Sequence, residues 1–333
     1  MALIEVENVA KTFRVAKRYE GRFGAIRSLL AREYREVHAV DKVSFQLEAG
    51  EMVGYIGPNG AGKSTTIKML TGILVPSSGR IMVAGRVPYQ ERVAHVRKIG
   101  VVFGQRSQLW WDLPTIESFE LLRHIYKIPF ERWRENLDTF SDILELGPFL
   151  HTPVRQLSLG QRMRADLAAA LLHDPNILFL DEPTIGLDVV AKDRIRQFLQ
   201  RINKERGTTV ILTTHDLEDI ERLCQRVILI DHGTLIYDGA LEELRNRFGR
   251  ERTVVIDIEN GLPENAHDWR PIGVNSVRRE GRRFWFSFDR HATTAAALIG
   301  EIAQRYQIRD LTVEEPKIET IVRQIYESGS VTV

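Results

Sequence analysis

The sequence predicts an α/β fold, a mixed β-sheet core with helices on both faces, followed by a small α+β domain. Three observations carry that reading. Over residues 51–72 an apolar strand (52–56) enters a glycine-rich loop and leaves it as a helix (63–71) stopped by Gly72. Short, unbroken apolar runs at 177–180, 209–213 and 227–230 alternate with helical patterns at 161–173, 189–206 and 217–224. Parallel strands covered on both faces read this way, because neither side meets water. After Gly239 the character changes: a helix at 240–248, strands at 253–258, 284–288 and 310–313, a helix at 292–306 and a last helix at 319–326.

At 333 residues the chain is long for one domain and comfortable for two, divided here as 1–240 and 241–333. It is 43% hydrophobic and 27% charged, enough apolar material for a sizeable core. A formal net charge of +1 gives no electrostatic case for nucleic acid as a partner. The single cysteine, Cys224, rules out an internal disulfide, fits a reducing compartment and sits in an apolar helical pattern as a core thiol. Met1-Ala2-Leu3-Ile4-Glu5 lacks the basic start and apolar run of a signal peptide. No stretch approaches the roughly 18 consecutive apolar residues of a membrane span, so a membrane role is expected only through a partner.

From the N-terminus, Leu3, Ile4, Val6 and Val9 predict an edge strand over 3–9, with 43–47 as its antiparallel mate. Between them lies a long arginine-rich insertion, about 17–37. Phe23, Ile26, Leu30, Tyr34 and Val37 recur in it at helical spacing, which predicts a short amphipathic helix. The turn Pro76-Ser77-Ser78-Gly79 leads into a strand at 80–84. A strand at 99–103 runs to a loop ending at Pro114, and 115–150 reads as helices, giving a helical subdomain over about 106–173.

The loop Gly57-Pro58-Asn59-Gly60-Ala61-Gly62-Lys63-Ser64-Thr65 fits the phosphate-loop pattern G-x-x-x-x-G-K-[ST], and it lies between a strand and a helix as that chemistry requires. Glycines let backbone N–H groups turn toward phosphates, and the helix N-terminus adds positive potential. Lys63 would reach the β- and γ-phosphates of ATP, and the Ser64 hydroxyl would bind Mg²⁺. Such a loop needs a carboxylate on a neighbouring strand. Ile177-Leu178-Phe179-Leu180 ends in Asp181 and Glu182, the first placed as a Mg²⁺ partner and the second as general base for the attacking water.

About 20 residues before Asp181 stands Leu157-Ser158-Leu159-Gly160-Gln161, followed by Arg162 and a helix of small residues. This motif, in register with the other two, resembles the signature of ABC transporter ATPases, and the resemblance covers residues 3–240. The usual form has glycine where Leu159 stands. The resemblance implies a P-loop fold of ABC type, with an antiparallel β subdomain and an α-helical subdomain. It also implies a composite site, in which Ser158, Gly160 and Gln161 of one subunit cap the ATP held by the phosphate loop of another. Further roles follow from it. Gln105 resembles the glutamine that senses Mg²⁺ and the membrane partner, Asp188 the residue linking the two sites, and His215 the histidine that contacts the γ-phosphate. Phe13 resembles the aromatic that stacks on adenine; a core strand aromatic is the other reading. Because Lys63, Asp181, Glu182 and His215 are all present, the simplest expectation is a homodimer with two active sites.

Two features go beyond a generic ATPase. A helix like the 17–37 insertion occurs in ATPases of polysaccharide and lipid-linked exporters, where its arginines would meet anionic headgroups; a solvated surface helix is the bland alternative. The run Gln105-Arg106-Ser107-Gln108-Leu109-Trp110-Trp111-Asp112-Leu113-Pro114 resembles bacterial exporter ATPases of a viologen-exporter-like family, which pair with separate permeases. Trp110 and Trp111 are expected either against such a partner or in the core. The resemblance thus implies an ATP-hydrolysing subunit at the cytoplasmic face of the membrane, driving export through one or two polytopic permease chains. A glycan exporter is one alternative. A soluble ABC ATPase is another, which the single cassette and lack of a coiled-coil insertion argue against.

Overall fold

A computed structural model describes residues 2–16, 34–104, 106–249, 251–259 and 271–328. The chain divides into two compact units, residues 1–239 and a second unit starting at Ala240.

The first unit holds two sheets. In the smaller, β1 (Ile4–Ala16) lies between β2 (Tyr34–Leu47) and β4 (Ser78–Val83), antiparallel to both. The 3–9 segment is therefore central and not an edge, because the hairpin strand β4 pairs on its second side (Ile4 with Val83, Val6 with Ile81). The predicted helix also needs correction at its C-terminal end. Tyr34 and Val37 belong to β2, opposite Ala16 and Phe13. A three-residue apolar spacing fits a helical face, but the open edge of β1 offers a ladder, and the pairs Arg14 with Glu36 (3.3 Å) and Thr12 with His38 (3.1 Å) sit in that same register. Residues 17–33, most of that predicted helix, lie outside the described residues.

The larger sheet has the order β5-β6-β7-β3-β8-β9. Its strands are β3 (Met52–Ile56), β5 (Ile99–Phe103), β6 (Ile177–Asp181), β7 (Thr209–Thr213), β8 (Arg226–Asp231) and β9 (Thr234–Ala240). The pairs of β5 with β6, β6 with β7, β7 with β3 and β3 with β8 are parallel. Every residue of β3 and β7 is buried, which is why both appear as unbroken apolar runs. β9 returns through a two-residue turn, His232 and Gly233, both at positive φ (46° and 80°), the geometry that lets a tight hairpin follow strand twist.

Helix α1 (Lys63–Leu70) leaves the sheet after β3, and its buried Ile67, Met69 and Leu70 join one core with β1, β2, β3 and β4. Next come α2 (Arg92–Val96), α3 (Thr115–Tyr126), α4 (Phe130–Leu144), α5 (Leu159–Leu171), α6 (Val189–Arg206) and α7 (Leu217–Leu223). The small residues Ala165, Ala168, Ala169 and Ala170 of α5 are all buried. Among the described residues no helix is long and apolar enough to cross a membrane.

The second unit begins with α8 (Leu241–Phe248). Its antiparallel sheet has the order β11-β12-β10-β13, from β10 (Glu251–Ile258), β11 (Val274–Glu280), β12 (Arg283–Asp289) and β13 (Ile308–Glu314). Phe284, Phe286 and Phe288 alternate inward and pack with Leu298 and Ile302 of α9 (Ala295–Ala303). The last helix is α10 (Ile318–Ser328).

Candidate functional site

The loop between β3 and α1 owes its path to two close approaches of backbone. Gly62 has φ 104°, and a Cβ on it would lie 2.4 Å from the Ala39 carbonyl oxygen, so only glycine fits there. At the end of β5, a Cβ on Gly104 would lie 2.3 Å from the Glu182 carbonyl oxygen, which keeps the tips of β5 and β6 in backbone contact. Pro58, Asn59 and Gly60 are exposed at the loop's tip, while Ala61 is buried under it. Thr65 is partly buried in α1.

Lys63 opens α1 and curls back, its Nζ donating to the carbonyls of Gly57 (2.6 Å) and Pro58 (3.0 Å). Burial lowers the pKa of its ammonium; the nearby Glu182 and Asp181 carboxylates oppose that shift. One residue on, Ser64 Oγ donates to Asp181 Oδ1 at 3.3 Å, and Thr213 Oγ1 donates to the same oxygen at 2.6 Å. Ser64, Lys68, Gly104, Arg106, Asp181 and Glu182 line a cavity of about 340 Å³ together with Phe103 and Ile73. A hydroxyl and a carboxylate at one helix N-terminus are hard oxygen donors of the kind Mg²⁺ takes, so these residues fit that ion. Gln105 lies outside the described residues.

Glu182 follows β6 in a left-handed conformation (φ 57°), unusual for a side-chain-bearing residue, and its N–H donates to the Thr213 carbonyl (2.9 Å). That turn aims the carboxylate at the end of β7, where His215 Nε2 lies 2.5 Å from Glu182 Oε1. Phosphate loop, metal-type oxygens, acid and histidine thus converge at the carboxyl ends of adjacent parallel strands, the place where open α/β sheets bind ligands.

Ser158, Gly160, Gln161 and Asp188 gather elsewhere. Ser158 caps α5 in a capping box: its Oγ accepts from Gln161 N–H (3.2 Å), and its own N–H donates to Gln161 Oε1 (2.9 Å). Asp188 caps α6, accepting from Ala191 N–H (2.8 Å). All four line a second cavity of about 550 Å³, which shares no residue with the first. Leu159, where glycine is usual, lies against Gly186 in the turn leading to Asp188. Phe13 is half-buried on β1 beneath the Lys11 ammonium (5.3 Å) and opposite Val37, a few residues along β2 from the Ala39 carbonyl that touches Gly62.

Residues 40–185 match the family model described as ABC transporter. The linearmycin resistance ATP-binding protein LnrL of Bacillus subtilis is 30% identical over 88% of this chain and 94% of its own length. The Nod factor export ATP-binding protein I of Cupriavidus metallidurans is 31% identical over 88% and 95%. The chain belongs to the ABC transporter ATP-binding proteins. Among solved structures it resembles a dimeric bacterial ABC transporter cassette (28% identity, TM-score 0.59, 72% of this chain and 98% of that one) and a dimeric cassette in a post-hydrolysis state bound to ADP and Pi (28% identity, TM-score 0.60, the same coverage). The protein is therefore the ATP-binding, ATP-hydrolysing subunit of an ABC transporter.

In this ABC ATPase a second layer of residues, invisible to motif reading, sets the site's geometry. Arg196 of α6 is 4% exposed and Asp219 of α7 is 0% exposed. Arg196 Nε donates to Asp219 Oδ1 at 2.6 Å, while Thr184 (2.5 Å) and Thr214 (3.2 Å) donate to Oδ2. Lys192 Nζ adds a bond to Asp216 at 2.5 Å. The turn before Asp188 and the turn carrying His215 are thereby tied together. Thr213, the donor to Asp181, is set by the pairing of β6 with β7, which puts the two residues opposite each other; nothing local in the sequence announces it.

Proposed function

We propose that this subunit acts as a head-to-tail homodimer that hydrolyses ATP at two composite sites and drives export through separate permeases. The observation carrying the composite site is the separation of the two cavities. Within one chain Ser158, Gly160 and Gln161 line a cavity apart from that of Ser64, Asp181 and Glu182, which supports a cap supplied by a second copy. The dimeric state of related cassettes supports this arrangement.

Each side chain then has a task set by its position. The loop N–H groups of residues 57–65 and the α1 N-terminus hold the phosphates. Lys63 exchanges its carbonyl partners Gly57 and Pro58 for phosphate oxygens. Ser64 and Asp181, with Gln105, would hold Mg²⁺, which when bound would supply charge neutralisation for the transferring phosphoryl group. Glu182 accepts the proton of the attacking water, and His215 fixes the Glu182 carboxylate and faces the γ-phosphate. Phe13 stacks on adenine at the loop's flank. Ser158 and the N–H groups of Gly160 and Gln161 cap the partner copy's nucleotide, and Asp188 joins the two sites.

Export, and not import, is supported by two relatives named for drug resistance and for Nod factor export. Their alignments of 297 and 294 residues are longer than the first unit's 239 and so reach into the second. Among its described residues that second unit carries helix α9 on one face of a four-stranded sheet, unlike the β-sandwich expected of a glycan-binding tail. The permease docking site is Trp110 and Trp111, 39% and 52% exposed on a loop whose neighbours are fixed. In this reading the subunit works at the cytoplasmic face of the membrane, with residues 17–37 as a further membrane contact. Replacing both tryptophans by alanine is expected to reduce recovery of a co-expressed permease in affinity purification at least tenfold while ATP turnover of the purified subunit stays within twofold. Undiminished recovery would remove the docking assignment.

A further inference from the structure

The loop that carries the tryptophan pair is tied at Ser107, Gln108 and Trp111 to the helix headed by Ser158. Asp166 lies on α5 about two turns beyond that cap and is 5% exposed. Its Oδ1 accepts from Ser107 Oγ (2.9 Å) and from Gln108 N–H (3.0 Å), and Gln108 Nε2 donates to the Asp166 carbonyl oxygen (2.9 Å). Ser107 Oγ in turn accepts from Leu109 N–H (3.1 Å), and Trp110 N–H donates to Ser118 Oγ (3.2 Å). At the far end the Arg162 guanidinium lies over the Trp111 ring, 5.2 Å from its centre. Two anchors on α5, Asp166 and Arg162, therefore grip both ends of residues 107–111.

An ordinary surface loop needs no buried carboxylate beneath it. Burial raises the Asp166 carboxyl pKa to about 6, against the lowering effect of the Gln108 and Ser107 hydrogen bonds and of Arg162. Such a costly group persists where its hydrogen bonds fix one arrangement. We propose that Asp166 is a positioning residue that joins the docking loop and the signature helix into one lever, so that nucleotide capped by Ser158 and Gln161 is felt at Trp110 and Trp111, and a permease bound there is felt at the nucleotide. This rests on the docking reading above. Because coupling between two binding sites is reciprocal, the ATP half can be examined without any permease.

The measurement is amide hydrogen exchange on the full-length chain carrying Glu182→Gln, with and without Mg-ATP, read at residues 108–110. In that parent ATP is expected to slow exchange there at least threefold. Adding Asp166→Ala is expected to speed exchange at these amides about tenfold and to erase the ATP dependence, while the ATP-trapped dimer still forms on size exclusion. Asp166→Asn, which keeps an acceptor oxygen in the same place, is expected to restore both. Should Asp166→Ala fold poorly, Ser107→Ala removes one donor from the same junction and is expected to weaken the ATP-dependent protection. Protection that persists in Asp166→Ala or is undiminished in Ser107→Ala, an absence of protection in the parent, or failure of the asparagine to rescue overturns the lever. The docking reading stands or falls separately, on recovery of the permease with the tryptophan variant.

Discussion

Glu182→Gln is expected to lower ATP turnover by about 10²- to 10⁴-fold, the range that a positioned general base contributes, while leaving ATP binding in place. Glutamine keeps the size of the side chain and an oxygen that can still accept from His215, at the 2.5 Å contact seen for Oε1. It cannot take a proton from water. The backbone that aims the residue is independent of the carboxylate. The φ of 57°, the N–H bond to Thr213 and the close approach of Gly104 all remain. Phosphate-loop contacts through Lys63 and Ser64 also remain, so Mg-ATP should accumulate between two copies, and the chain should shift from monomer to dimer on light scattering when ATP is added. Steady-state hydrolysis near the parent rate would remove Glu182 from the role of base, and a persistent monomer with bound ATP would remove the composite site.

Much of that argument was legible in the sequence, for a physical reason. The phosphate loop, the acids at 181 and 182 and the signature are each contiguous, because each is a strand end or helix start at which several backbone groups must act together. The strands that carry them were equally plain. β5 and β7 take the bounds read from the sequence, since no residue of either strand is exposed. The misses share the opposite property. β11, an edge strand with the sequence VNSVRRE, is mostly exposed, so it lacks the alternation by which strands are recognised. The edge assignment of 3–9 failed because pairing partners are a tertiary fact: nothing local says that β4 will join the second side. At Tyr34 and Val37 the three-residue spacing fits a helical face and not the strand period of two, so only the ladder offered by β1, a tertiary partner, puts them in a strand.

The same logic hides the bond between Arg196 and Asp219, whose removal is expected to give the largest loss of stability. Neither residue belongs to a motif. They lie 23 positions apart on separate helices, and only the fold buries both. Breaking a buried ion pair by deleting one partner costs about 3–5 kcal/mol, mostly from the charge left behind. Arg196→Met leaves Asp219, fully buried, with hydroxyl donors from Thr184 and Thr214 but no cation in direct contact, and it also strips Asp193 and Glu218 of a partner. At roughly 2–4 °C per kcal/mol for a unit of this size, the first calorimetric transition should fall by about 6–20 °C. Pairing Arg196→Met with Asp219→Leu should recover a large part of that loss, because the double variant buries no orphan charge. The recovered protein should nevertheless hydrolyse ATP more slowly than the parent. Thr184 and Thr214, which flank the Asp188 turn and His215, would have lost the acceptor that fixes them. A single variant that melts within a degree or two of the parent would show that the pair contributes little. A double variant with full activity would confine its role to stability and separate the site's geometry from this network.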